Sequence, residues 1–271
     1  MRIRLSPAAL LLGALPVFAQ PAPKPPEGPA PKLNGKPDFS GLWQRPYVPD
    51  MTVTTADGKT QVADPTLPND PKTENQKGRN GQAVPPRKML PYTEWGKQQW
   101  DSYDPAKGDY TGSCLPFGLM RSMNSPDPIQ IMQSNEFLAL LYEQNTWFKV
   151  FPLSGAKHRD IVGTWFGDSV GRWEGETLVV DTVNFNGRTR LDTNGHPHSD
   201  QLHIIERFQR PDLGHINYEV TIDDPKTYTR PWKNTRVFTL RPDWTIMEYS
   251  CEENNKDFLE GHIKGGTNPL K

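Results

Sequence analysis

From Pro128 onward the chain is written as one hairpin after another, and this restricts the fold more than any other feature. Ile129–Gln133 and Phe137–Glu143 flank Ser134-Asn135-Glu136, and Thr146–Phe151 follows as a third run. Ile161–Trp173 and Thr177–Phe185 flank the turn at Glu174-Gly175-Glu176. Gln201–Gln209 and His215–Ile222 flank Arg210-Pro211-Asp212-Leu213-Gly214, and Thr235–Leu240 and Thr245–Cys251 flank Arg241-Pro242-Asp243-Trp244. Each run is β-branched or aromatic and each interruption is a turn signal. No amphipathic helix of useful length separates them, so parallel βαβ folds are excluded. The expectation is an all-β fold, an antiparallel meander of about eight strands, closing into a lipocalin-like barrel because closure removes exposed edges. A curved open sheet or a two-sheet sandwich is the alternative. A barrel of about eight strands has room for one small ligand.

The segments before the meander read differently. Met1–Ala19 has two early arginines, Arg2 and Arg4, a short apolar run and a small-residue end at Val17-Phe18-Ala19. That is the pattern of a secretory signal peptide, and the run is too short to cross a bilayer. The chain is therefore expected to be periplasmic or secreted. Residues 20–37 are proline- and lysine-rich without aromatics and are expected to form a disordered spacer. Residues 38–127 are expected to be an irregular region packed on the barrel, with a short helix over Thr93–Tyr103; the barrel domain is placed at 128–255 and a C-terminal tail at 256–271. The net charge is -1, or -1 - 2 = -3 without Arg2 and Arg4. A near-neutral chain lacks the basic face that nucleic acid demands, and it lacks the charge for docking on anionic lipid. The expected partner is a small molecule, with no nucleic acid, no membrane span and an unassigned oligomeric state. Cys114 and Cys251 are the two cysteines. In an exported chain such a pair is most simply one disulfide; a catalytic thiol at Cys114 is the competing reading.

Two stretches carry a resemblance. Gly167–Thr182, with Trp173-Glu174-Gly175-Glu176-Thr177-Leu178-Val179-Val180-Asp181-Thr182 at its centre, and Ser199–Phe208, with Leu202-His203-Ile204-Ile205-Glu206-Arg207-Phe208, together resemble an exported, β-rich family of soil bacteria. The resemblance covers roughly Cys114 to Glu252 and implies no particular activity and no catalytic residues. Gly41-Leu42-Trp43 is similar to the G-x-W signature of lipocalins and implies a barrel.

Several residues could carry chemistry. By strand alternation Leu202, Ile204, Glu206 and Phe208 share one face, while His203, Ile205, Arg207 and Gln209 share the other. Here His203 and Arg207 are expected to face the lumen, joined by His158 and Asp168 from the neighbouring hairpin. Glu206 is expected on the opposite face, packed beneath covering segments such as residues 46–110. A carboxyl among Leu, Ile and Phe would suit a general acid or base, or it would be ion-paired. His158 lies in Lys157-His158-Arg159-Asp160, a loop at the expected barrel mouth. Asp168 stands between Gly163, Gly167 and Gly171, glycines that mark curvature or close backbone approach. No cofactor is expected. His196, His198 and His203 form H-x-H-x4-H, a spacing that could hold a metal, against a plain reading as loop histidines before a strand. H-E-x-x-H, a phosphate loop and G-x-G-x-x-G are absent and no strand-to-helix serine elbow is expected, so serine hydrolase, zincin, NTPase and dinucleotide dehydrogenase readings have little support.

Two functions follow. The first is a cofactor-free exported enzyme, a lyase, isomerase or hydrolase, using His158, Asp168, His203, Glu206 and Arg207 on a small organic or sugar-derived substrate. The second is a lipocalin-like binding protein without chemistry. Convergence of histidine and carboxylate side chains at one place discriminates between them.

Overall fold

The structure, a computed structural model, describes residues 23–77, 81–104, 109–253, 255–256 and 260. The expected signal peptide lies outside these residues, as does the tail apart from Lys256 and Glu260.

Nine strands form one antiparallel sheet that wraps into a nearly closed barrel: β3 (Gly41–Gln44), β5 (Ile129–Gln133), β6 (Phe137–Tyr142), β7 (Phe148–Pro152), β8 (Asp168–Glu174), β9 (Thr177–Val183), β10 (His203–Gln209), β11 (His215–Asp223) and β12 (Trp232–Leu240). Their order round the sheet, β7-β6-β5-β3-β12-β11-β10-β9-β8, is the chain order closed on itself. The first strand lies against the last, with Trp43 opposite Leu240. A short strand, β4 (Gln61–Ala63), extends that edge by pairing with Asn234–Arg236 of β12.

Strand number explains where the barrel stays open. Every hydrogen-bonded pair along the path is antiparallel. With an odd number of alternating strands, the two ends of the path, β7 and β8, must point the same way. A tight hairpin cannot join parallel neighbours, so residues 153–167 run back along the barrel between them. The seam is held by packing and by Gly155 N–H donating to the Gly171 carbonyl at 2.9 Å. A Cβ on Gly171 would lie 2.9 Å from Leu153 Cδ2 and 3.2 Å from the Pro152 carbonyl, so the glycine permits the approach. The expected strand Ile161–Trp173 is shortened accordingly, and Gly163 and Gly167 fall in the return segment.

The inside of the barrel is a packed core. Leu178, Val180, Ile204, Phe208, Ile216, Tyr218, Val220 and Phe238 face inward and are buried. Near the end where β3, β9 and β11 finish, the barrel is roofed by residues 45–51, by α2 (Leu119–Asn124) and by the loop 184–202. The second helix of note, α1 (Glu94–Asp101), begins as expected, the Thr93 hydroxyl accepting from Gly96 N–H at 3.0 Å. It presses on the β11–β12 loop so closely that a Cβ on Gly96 would fall 2.1 Å from the Thr227 carbonyl oxygen.

Four expectations are corrected. The barrel takes its first strand from the segment expected to be irregular, Gly41–Gln44. Thr245–Cys251 is not a strand, because both edges of β12 are already occupied, by β11 on one side and by β3 and β4 on the other. The spacer is ordered from residue 23. Lys32–Leu33 (β1) and Lys36–Pro37 (β2) form a hairpin, Leu213 N–H donates to the Gly28 carbonyl at 2.9 Å, and Lys36 donates to the Gly175 carbonyl at 2.9 Å. Prolines cost little entropy to order, and the Pro37 carbonyl accepts from Gln133 Nε2 at the end of β5 at 3.0 Å. Finally, the faces of β10 are reversed: Glu206 is fully buried inside, and His203 and Arg207 point outward.

Cys114 and Cys251 are bonded, with Cα atoms 5.5 Å apart. The bridge ties the segment before α2 to the chain beyond β12. No helix among the described residues is long and apolar enough to cross a membrane.

Candidate functional site

Three of the five residues singled out in the sequence meet on the outer wall at the roofed end of the barrel. Asp168 opens β8, His203 opens β10, and His158 comes from the return segment. They are joined by Asp181 of β9, which stands between Val170 of β8 and Ile205 of β10 in the strand register. Asp181 Oδ1 lies 2.9 Å from His158 Nε2 and 3.0 Å from His203 Nε2. His158 Nδ1 is 3.3 Å from Asp168 Oδ2. Arg159 then closes on Asp168 through its backbone N–H at 2.8 Å and its guanidinium at 2.7 Å. Burial works to raise the Asp168 carboxyl, but the donors of Arg159 outweigh it and hold it below the usual carboxylate range.

The group is open to solvent in a graded way. Asp168 is 2 % exposed, Asp181 23 %, His158 26 % and His203 33 %. The two histidines are not equivalent. His158 is held at both ring nitrogens between two carboxylates, and both contacts are donated only when the ring carries two N–H protons. Among the described residues, His203 is held through Nε2 alone. With its proton on Nε2, facing Asp181, its Nδ1 carries the lone pair of a general base.

The remaining candidates lie elsewhere. Arg207 is four residues along β10 from His203, about 13 Å at strand rise; it pairs with Glu174 at 2.9 Å. Glu206, inside the barrel, accepts from Lys149 Nζ at 3.0 Å and from the Tyr218 hydroxyl at 3.0 Å. The ion-paired reading of Glu206 is the one that fits.

The H-x-H-x4-H histidines do not converge on one point. His196 Nδ1 contacts Asp192 Oδ2 at 2.6 Å, His198 Nε2 contacts the Thr189 hydroxyl at 2.6 Å, and His203 belongs to the outer-wall group. A different trio, Asp50, Asp192 and His196, brings its ligand atoms within 4.8 Å of one another. Its oxygens are already engaged. Asp192 accepts from the backbone N–H of Met51, Gly195 and His196 and faces the His196 ring, while Asp50 accepts from Thr52, Asn194 and Arg87. Trp100 of α1 stacks parallel on the His196 ring at 4.6 Å. This trio is a buried latch on the loop.

Asp181 was missed in the sequence because it sits in the run Leu178-Val179-Val180-Asp181-Thr182 and reads as strand. The alternation that puts Leu178 and Val180 inside was the available signal. Gly167-Asp168-Ser169-Val170-Gly171 does carry the letters of a serine-hydrolase elbow. Ser169 nevertheless stands within β8, faces inward and is hydrogen-bonded to Thr182 at 2.8 Å, with no histidine beside it and no helix after it. No protein-family model, curated protein or solved structure matches this chain, so its function rests on the geometry of these sites.

Proposed function

We propose that this is an exported enzyme that performs general acid–base chemistry on a small polar organic substrate at the outer-wall His–Asp–His group. One observation carries the reading: two partly exposed imidazoles share a single carboxylate oxygen, and only one has a ring nitrogen left over. His203 transfers the proton. Asp181 is its positioning residue, fixing the ring and stabilising the imidazolium that forms during turnover. His158 and Asp168 hold Asp181 in place from the other side, and Arg159 anchors Asp168. The reaction class that suits one base without a covalent nucleophile is elimination, isomerisation or hydrolysis.

The test is a panel of sugar lactones, small esters and β-eliminable uronates, with the wild-type protein beside His203→Gln and Asp181→Asn. At least one panel member should turn over, with the rate falling by about 10²–10⁴-fold in His203→Gln, the range expected for a lost general base. Absence of turnover across the panel, or a His203→Gln enzyme as fast as wild type, overturns the proposal.

A second reading, ligand binding without chemistry, is favoured by one observation. A cleft of about 470 Å³ lies on the outer wall between β4 and the β11–β12 pair, floored by Val62, Pro65, Pro231 and the stems of Arg230 and Lys233. Its volume is in the range of small-molecule sites. The filled barrel core leaves the lipocalin form of this reading without support.

A further inference from the structure

A belt of polar side chains crosses the barrel interior beneath α2. Ser169, Thr182, Glu206, Tyr218, Arg236, Tyr142 and Lys149 contribute from seven different strands, and Arg45 from the residue after β3. Among the described residues, the inward-facing charges of this belt are three cations, Lys149, Arg45 and Arg236, and one carboxylate, Glu206. Lys149 takes the carboxylate at 3.0 Å. Burial then lowers the Lys149 ammonium, and its attraction to Glu206 opposes this only in part.

Among the described residues, the two arginines have no carboxylate at hydrogen-bond distance. Arg45 Nη2 donates to the Asp127 carbonyl at 2.6 Å, and its Nη1 to the Ser122 carbonyl. Arg236 Nε donates to Asn234 Oδ1 at 2.8 Å, and its Nη1 to the Met123 carbonyl at 3.2 Å. Arg45 Nε and Arg236 Nη2 have no acceptor, although the residues are only 3 % and 1 % exposed. Both guanidiniums converge on Met123, Arg45 reaching its sulfur at 3.9 Å and Arg236 its carbonyl. Tyrosine faces partly offset their charge, Tyr142 at 5.6 Å from Arg45 and Tyr218 at 5.6 Å from Arg236. The nearby carboxylates act on the guanidiniums only through space, Asp127 on Arg45 and Asp192 on Arg236, while their hydrogen bonds go to Ser125 and His196. Capping the carbonyls around the end of α2 explains part of this arrangement, but not two orphaned donors on guanidiniums that no carboxylate hydrogen-bonds, which interiors rarely tolerate.

We propose that the barrel interior binds one small oxyanion, a phosphate, sulfate or carboxylate group, between Arg45 and Arg236. The anion accepts the two orphaned N–H groups and balances the belt. Planar guanidinium forks suit such oxygens. The site is distinct from the outer-wall group, so its failure leaves the acid–base reading standing.

The probes are inorganic phosphate and selenate, used with the full mature chain. Phosphate should raise the melting temperature by several degrees over sodium chloride at matched ionic strength, as expected for a ligand that binds only the folded state. Titration calorimetry should show one site. In crystals soaked in selenate, the anomalous signal should lie between the two guanidiniums. Arg236→Gln should abolish the phosphate-specific rise; if that variant does not fold, the wild-type selenate map decides. Equal melting in phosphate and chloride, water alone between the arginines, or a phosphate-specific rise retained in Arg236→Gln would overturn the proposal.

Discussion

Two histidine–aspartate pairs stand at the same end of the barrel and do opposite things. Asp192 and His196 are wholly buried, with a tryptophan stacked on the ring and the carboxylate oxygens filled by backbone donors. Asp181 and His203 are partly exposed, with one ring nitrogen unengaged. The residue types are the same. What differs is exposure: a buried pair whose carboxylate is filled by backbone donors can only hold structure, whereas a pair at the surface with a lone pair to spare can move a proton.

That contrast can be broken most directly at Asp192. Asp192→Asn removes the charge facing the buried His196 ring and leaves backbone donors poorly matched, so it should cost about 3–5 kcal/mol, the usual penalty for breaking a buried pair. Urea unfolding would read it, and a loss below about 1 kcal/mol would remove the latch from the comparison.

A pH profile sharpens the same point. Burial alone would lower His196, but Asp192 overrides it and raises the ring above its ordinary value. Burial alone would raise Asp192, but His196 and the backbone donors override it and lower the carboxyl. The His196 contribution is therefore complete below the unfolded histidine value of about 6.5 and is lost as pH rises through the higher folded value. The Asp192 contribution is complete above about 3.9 and is lost as pH falls through the lower folded value. Melting temperature against pH should show a plateau between these limits, and His196→Asn should remove the alkaline limb. An unchanged alkaline limb in that variant would assign the limb to another group.

Trp100→Leu tests the stack and should destabilise by about 1–2 kcal/mol, through lost ring stacking and burial. The smallest stability effect is expected at the other pair. His203→Ala and Asp181→Asn should each change stability by only about 0.5 kcal/mol, as at a surface position, while abolishing turnover. A loss from His203→Ala as large as that from Asp192→Asn would mean that both pairs are structural.

The sheet was legible in the chain because each hairpin announces itself locally: Ser134-Asn135-Glu136, Glu174-Gly175-Glu176 and Arg210–Gly214 all fall at real turns. What was not legible depends on partners far away in sequence. Gly41–Gln44 is a strand only because β5 and β12 present their edges to it, and Thr245–Cys251 alternates correctly yet finds no free edge. At the site, alternation correctly split Glu206 from His203 and Arg207, but it could not say which face turns inward. The interior accepts Glu206 because Lys149 and Tyr218 come from strands whose register no local pattern encodes. His158, Asp168 and His203 were named; the carboxylate that unites them was not, since its role arises only when three strands are laid side by side.

The closure of the barrel by its first strand on its last has a consequence for how the chain is made. Trp43 meets Leu240 only after about 200 further residues have been synthesised, and contacts so remote in sequence form slowly. Strands β5 to β11 can assemble as they emerge, while the β12-facing edge of β3 waits. The ring is completed by nearly the last strand to appear, so a chain truncated before Trp232 would leave a ribbon with an exposed edge, the kind of surface that proteases and aggregation find first.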